Sequence, residues 1–387
     1  MFEKQEVTEQ MLAQQMSGAP LYTRARTEKL LAEGQRNESL HRMHLGLLAF
    51  ERGDDAYAKE QLDRVLAFIE VIHTGDASLE RDLRRKRITE VAKDFRGEPY
   101  ERSMAYWYRG LIELTEGNPN GARPYFVSAL YQDAVAESED ARSDFASLLY
   151  LQGWCSKLIG DDQRAAQAFE AAQALRPELV PPAADHNALI IAELGRAPRK
   201  VRDGLGGGKL KFRRGRDFAD DSASALLPDG THGMLLGADI FRQSVTRGTR
   251  EIDYILTGQS IEFAQVSQFA SGTSRVAEGI SLANPFLGSS TIGGSIAGGF
   301  AAATLISSAS QINNTPLADN RYWDNLPDRV MLYTAKLSES DDVYINVLDK
   351  TGEVISDRNP VLRKEWAKGH GLYWFKSHST GSDGKGS

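Results

Sequence analysis

Gly153-Trp154-Cys155-Ser156-Lys157-Leu158-Ile159-Gly160-Asp161-Asp162-Gln163-Arg164-Ala165-Ala166-Gln167-Ala168-Phe169-Glu170-Ala171-Ala172 holds the pattern on which the fold turns. From Gly153, a second glycine follows at +7 (Gly160), an alanine at +12 (Ala165), a large apolar residue at +16 (Phe169) and a small one at +19 (Ala172). Two earlier stretches share these offsets. One runs Gly46, Gly53, Ala58, Leu62, Val65, and the other Gly110, Gly117, Ala122, Phe126, Ala129. The first glycine of each set lets two helices approach closely. The second, followed by Asp54, Asn118 or Asp161, ends a helix and turns the chain. The alanine sits where the helices touch and the large residue fills the gap between them. The unit predicted is an antiparallel helix pair of tetratricopeptide type.

Periodicity agrees with this reading. Leu40, Met43, Leu47 and Phe50 step by three and four, as do Ala58, Leu62, Val65, Ile69 and Ile72. The same steps join Met104, Trp107, Leu111 and Leu114, and Leu148, Leu151, Cys155 and Leu158. Each set makes one apolar stripe along a helix, and Pro177 marks a stop for the last pair. The copies lie 64 and 43 residues apart, against a standard period of about 34. The array is therefore divergent, with long connections around Asp76–Phe95 and Asp133–Asp144. A stack of such pairs forms a curved solenoid whose concave face ordinarily binds another chain.

The segment Gly97-Glu98-Pro99-Tyr100-Glu101-Arg102-Ser103-Met104-Ala105-Tyr106-Trp107-Tyr108-Arg109-Gly110-Leu111 resembles a GEPYER…YxxGL motif of bacterial, tetratricopeptide-containing cell-envelope lipoproteins of unassigned activity. Asn187 to Lys200, ending Leu194-Gly195-Arg196-Ala197-Pro198-Arg199-Lys200, is a second match. Ala318-Asp319-Asn320-Arg321-Tyr322-Trp323-Asp324-Asn325-Leu326-Pro327 looks like the family's AD-R-W-LP motif, which precedes a pair of strands. The resemblance implies an envelope protein whose partners are other envelope proteins or small lipoproteins. The family carries a signal sequence and a lipid-accepting cysteine. Met1–Glu6 has no apolar run, and Cys155 lies inside an expected helix. The expectation is periplasm or outer membrane if a leader has been removed upstream, and cytoplasm otherwise.

After about Ile190 the pattern changes to short runs of strand type: Ile252–Leu256, Ile261–Val266, Val330–Leu337, Val343–Leu348 and Leu372–Phe375. The predicted class is α+β. An N-terminal extension (1–26) leads into a tetratricopeptide-like helical repeat domain (27–186). A small α/β domain with a mostly antiparallel sheet follows (187–377), and then a disordered tail (378–387). From Gly279 to Ala318 runs a stretch of 40 residues without a charge, rich in Gly, Ala and Ser over 284–311. Such a run could enter a bilayer. Pro285 and its glycines favour tight packing or a subunit interface instead, so a homo-oligomer is expected, with membrane association through 284–311 left open.

The chain has 387 residues, is 41% hydrophobic and carries a net charge of -7, which makes nucleic acid an unexpected main partner. One cysteine excludes an internal disulfide and a multi-thiolate metal site. Gly204-Leu205-Gly206-Gly207-Gly208-Lys209-Leu210 fails the phosphate-loop pattern, since Asp203 stands at its first glycine and Leu210 follows the lysine, so a flexible basic loop is expected. His41 and His44 stand a turn apart with no third metal ligand near them in the sequence. Gly294-Ser295-Ile296-Ala297 lacks the closing glycine of a nucleophile elbow. No catalytic residue, cofactor or metal is therefore expected.

Basic residues concentrate between Arg199 and Arg216, where eight Lys or Arg accompany a single Asp203. This composition suits an anionic partner or a solvated loop equally. A second basic run, Arg81 to Arg87, reads as a solvated helix face. Pro99 and the glutamates Glu98 and Glu101 suit a helix start. The candidate partner-binding side chains are Arg102, Tyr106 and Arg109, then Arg213, Arg214 and Arg216, and finally Arg321 and Trp323. Arg102 and Tyr106 could instead join neighbouring hairpins, and Arg321 could lock the domain by stacking on Trp323. The function expected is a non-enzymatic scaffold in an envelope assembly. The alternatives are a membrane-inserting or pore-lining subunit and a cytoplasmic adaptor.

Overall fold

The computed structural model describes residues 5–74, 94–134, 145–203, 209–215, 219–245, 318–356 and 361–378. Outside these residues lie the 284–311 segment, the 81–87 basic run, the strands expected at 252–256 and 261–266, Arg216 and the tail from 379 onward. Among the described residues helices come first and strands later, so the chain is α+β.

After α1 (Glu9–Gln15) and α2 (Arg24–Glu33), three helical hairpins follow among the described residues. They are α3 (Glu38–Glu51) with α4 (Asp55–Thr74), α5 (Pro99–Thr115) with α6 (Pro119–Ala134), and α7 (Ala146–Leu158) with α8 (Asp162–Leu175). The same device closes each one. Gly53, Gly117 and Gly160 take left-handed φ values of 73°, 65° and 77°. The next residue sends its amide back five positions, from Asp54 to Ala49, Asn118 to Glu113 and Asp161 to Ser156. Its side chain then caps the following helix, with Asp54 accepting from the Tyr57 amide, Asn118 from Gly121 and Asp161 from Arg164.

The close approach is equally regular. A Cβ on Gly46 would stand 2.8 Å from Leu62, one on Gly110 2.6 Å from Phe126, and one on Gly153 2.8 Å from Phe169. Those distances leave room for hydrogen alone, which is why the large residue sixteen positions later can fill the seam.

The two helices of a hairpin are buried to different extents. α8 buries only Ala165, Phe169 and Ala172, the single stripe that periodicity predicts. In α5, by contrast, nearly every residue from Tyr100 to Leu114 is buried. The first helix of each pair is covered on its second side by a sheet. That sheet has strand order β6-β7-β1-β10-β9, with β1 Ala188–Leu194, β6 Leu235–Asp239, β7 Arg329–Ala335, β9 Val361–Ala367 and β10 His370–Lys376. β1 and β10 run parallel (Ile190 opposite Tyr373), and the other pairings in this mixed sheet are antiparallel.

β1 explains the layering. Leu189 and Ile191 join the core shared with the helices, while Ala188, Ile190, Ala192 and Leu194 face a second core. That second core is closed by a three-stranded sheet of β4 (Ser222–Leu227), β5 (Gly230–Gly233) and β8 (Tyr344–Leu348). With both faces covered, all seven residues of β1 are buried. The molecule is thus layered as outer helices, inner helices, five-stranded sheet and three-stranded sheet. One hydrophobic core runs from Leu40 of α3 to Trp374 of β10 without a break at residue 187.

The basic stretch departs from its sequence reading. Where a flexible loop is expected, Arg199–Asp203 (β2) and Lys209–Arg213 (β3) form a two-stranded antiparallel ribbon, with Arg199 opposite Arg213 and Lys200 opposite Phe212. Alternation is the physical reason. Lys200 and Phe212 face the helices, Phe212 meeting Tyr100 edge-on at 6.2 Å, so the ribbon has an inner face to hold it. Cys155 is a buried core thiol whose pKa is raised by burial.

Candidate functional site

The chemistry-bearing side chains converge on the boundary between the inner helices and the five-stranded sheet. Glu98 and Pro99 start α5, and Glu101 reaches back to the Glu98 amide at 2.6 Å in a reciprocal capping box. The same Glu101 carboxylate, fully buried, accepts from Lys200 Nζ at 2.8 Å and from the Trp323 amide at 2.7 Å. One helix cap therefore holds both the basic ribbon and the segment leading into β7. Burial raises the Glu101 pKa, with the Lys200 ammonium opposing it.

Two turns along α5, the buried Tyr108 hydroxyl donates to Glu193 Oε2 of β1 at 2.7 Å. Burial pushes the Glu193 carboxyl up to about 7, with Lys376 pulling the other way and the indoles of Trp374 and Trp107 beside it. Lys376 of β10 is itself buried. Its ammonium donates to Glu51 of α3 at 2.7 Å and to the Asn325 carbonyl at 2.6 Å. At the next strand, Arg363 of β9 grips Asp55 through both terminal nitrogens, at 2.9 and 3.0 Å, and donates to the Phe50 carbonyl. Its guanidinium lies over the Phe50 ring at 4.4 Å. Two hydrogen-bonded links between acids and bases, and one between a phenol and a carboxylate, thus join the first two helical hairpins to this sheet, while a third acid–base link, Lys200 to Glu101, joins the ribbon to α5. This arrangement fixes the register of sheet on helices. Removing one member of a buried pair costs about 3–5 kcal/mol, since the other is left uncompensated.

The residues singled out from sequence fall into several settings. Arg102 is used internally, donating to Gln132 of α6 and to the Gly97 carbonyl, both at 2.8 Å. Tyr106 is buried, its hydroxyl pushed up to about 12 by that burial. Arg109 joins hairpins, with Asp63 of α4 at 2.7 Å, Glu113 at 2.6 Å and the Tyr125 ring beneath it at 4.5 Å. Arg321 bonds Asp319 and Asn37 and lies over Phe95 at 5.6 Å, so its stacking partner is Phe95. Trp323 is fully buried and meets Tyr108 at 5.8 Å. Arg214 is held between Asp239 and Asp328, whereas Arg213 is exposed.

The two histidines of α3 are separately engaged, His41 with Glu33 at 2.8 Å and His44 with Asp324 at 3.2 Å. Among the described residues no three His, Cys, Asp or Glu side chains stand together as metal ligands, and no helix is long and apolar enough to cross a membrane. A pocket of about 150 Å³ between Tyr150, Leu179, Val180, Leu332 and Thr334 lies apart from the buried pairs. Compared with known proteins, the chain matches no family profile and no curated sequence.

Sequence reasoning passed over Glu51, Glu193 and Lys376 and gave Glu101 only a helix-dipole role. The signal was a single charge lodged in each apolar run: Glu193 inside Ala188–Leu194, Lys376 after Leu372–Phe375, and Glu51 after Leu45–Phe50. A charge that cannot reach water from such a run needs a partner from another element.

Proposed function

We propose that this chain is a non-enzymatic, protein-binding scaffold built on a tetratricopeptide-like helical stack and working in a bacterial cell-envelope assembly. The observation that carries the reading is the seam repeated three times, with Gly46 against Leu62, Gly110 against Phe126 and Gly153 against Phe169. The envelope setting, with small lipoproteins or a second copy of the chain as partners, rests on the motif resemblance at 97–111, 187–200 and 318–327.

The chain's own sheet occupies the side of the inner helices that such stacks ordinarily offer to a partner. In this reading the partner docks on the outer layer. There, Pro124, Val127 and Tyr131 of α6 are exposed at spacings of three and four, so they share one face.

The test is a photo-crosslinking amino acid placed at Val127 in cells, with the same probe at the exposed but polar position Glu339, in the loop between β7 and β8. A discrete envelope-protein adduct from Val127, lost on Tyr131→Lys, supports the reading. Indiscriminate adducts from both positions, or a turnover activity that maps to one residue, would sink it.

A further inference from the structure

The β2–β3 ribbon has two faces of opposite character. Inward, Lys200 is buried against Glu101, and Phe212 packs on Tyr100. Outward, register places Arg199 opposite Arg213 and Val201 opposite Lys211, with Asp203 as the outward acid, 3.9 Å from Lys211. Like charges directly across an antiparallel pair repel. Yet no carboxylate among the described residues forms an ion pair with Arg199 or Arg213. The adjacent Arg214 shows the contrasting arrangement, its charge answered by Asp239 and Asp328. In a chain of net charge -7, three outward cations on a ribbon pinned from behind are a concentrated exception.

Two further observations select the anion. The outward row, Arg199, Val201, Asp203, Lys211 and Arg213, carries no aromatic ring on which a base could stack, the ribbon's one aromatic, Phe212, being turned inward. The sequence joining Val245 to Ala318 also begins and ends at this ribbon. The helix Ile240–Val245 packs against β3, and Arg202 Nε of β2 donates to the Ala318 carbonyl at 3.0 Å. Ala318 is the last residue of the 40-residue run without a charge. The uncharged run therefore ends at Ala318 against the ribbon's inward-row Arg202, and the cations of the outward row suit the headgroups of an anionic lipid surface.

We propose that the outward face of the β2–β3 ribbon, through Arg199, Lys211 and Arg213, docks the protein on the headgroups of an anionic lipid membrane. The attraction is electrostatic and reaches about one Debye length, so it weakens as salt rises.

The test is co-sedimentation of the full-length chain with vesicles of phosphatidylcholine alone and of phosphatidylcholine with phosphatidylglycerol in equal parts. The triple variant Arg199→Glu/Lys211→Glu/Arg213→Glu is compared with Arg24→Glu/Arg64→Glu/Arg164→Glu, which changes net charge equally at exposed sites elsewhere. Circular dichroism confirms that both variants are folded. The expected result is binding to the anionic vesicles alone, weakened by salt, weakened roughly a hundredfold by the ribbon variant and largely kept by the control variant. Equal binding to both vesicle types would overturn the proposal, as would equal loss in the two variants. Binding of poly-dT tighter than binding of the anionic vesicles at the same salt, read by fluorescence anisotropy, would assign the face to nucleic acid and overturn it too.

Discussion

The Lys376 ammonium sits 2.7 Å from a carboxylate oxygen of Glu51, and both side chains are sealed from solvent. Residues more than three hundred positions apart thus share one buried proton-rich contact, which ties the last described strand to the first helical hairpin.

Splitting this pair should cost far more than deleting it. We expect Lys376→Met to destabilise the chain by about 3–5 kcal/mol and the double variant Lys376→Met/Glu51→Gln by distinctly less. A urea-denaturation double-mutant cycle measures both. Additive losses would show that the two charges do not answer each other.

Glu193 predicts a pH dependence. Its carboxyl is raised by burial to about 7 in the folded chain, above the ordinary value of 4.5. Between those values the folded state holds more protons than the unfolded one, so stability falls as pH rises through that window. The fall attributable to this group is on the order of 3 kcal/mol. Glu193→Gln should flatten that part of the curve of denaturation midpoint against pH. An unchanged slope would remove Glu193 as its source.

The seam predicts a methyl-sized intolerance. Gly110→Ala would bring Cβ within 2.6 Å of the Phe126 ring, and a loss of about 1–3 kcal/mol is expected. Phe126→Leu in the same chain should recover part of it. If the two substitutions add instead of compensating in thermal unfolding, the close approach is not what Gly110 provides.

The outer stripe predicts a separation of stability from binding. Val127→Ser with Tyr131→Lys should shift stability by no more than about 0.5 kcal/mol, both positions being exposed. With the crosslinking amino acid moved to Pro124 on the same face, the same pair of changes should abolish the adduct. Unfolding of the variant would mean that these side chains serve the hairpin itself.

The hairpins were legible in sequence because each depends on local terms: a left-handed glycine, a capping Asp or Asn, and an apolar stripe of helical period. The strands at 330–337, 343–348 and 372–375 were legible for a similar reason, and the structure places β7, β8 and β10 there within two residues at either end. β1 was not read as a strand, because a strand covered on both faces loses the alternation that marks one. Nor did the sequence show that the inner helices would be enclosed. Their second apolar side, with Tyr100, Tyr108 and Ile112, was hidden behind a more obvious first stripe. The ribbon of 199–203 and 209–213 was obscured by the glycines and charge of the sequence around it. The long-range partners of Glu101, Glu193 and Lys376 were beyond reach, since nothing local encodes which distant strand will answer a buried charge.

The position of β10 between β1 and β9 has a consequence for how the protein is made. The three hairpins are synthesised first, and the contacts that close each one are local in sequence. The strand that seats the sheet centre beside Ile190, and brings Trp374 against Phe50, comes about 180 residues after β1 begins. At ribosomal speeds of about 5–20 residues per second, the inner helices, which end 212 to 319 residues before β10 begins, spend roughly 10–60 s with their sheet-facing side chains uncovered. During that interval the nascent chain is a ready client for a chaperone, and the bare side of α5 is where such a helper would grip it.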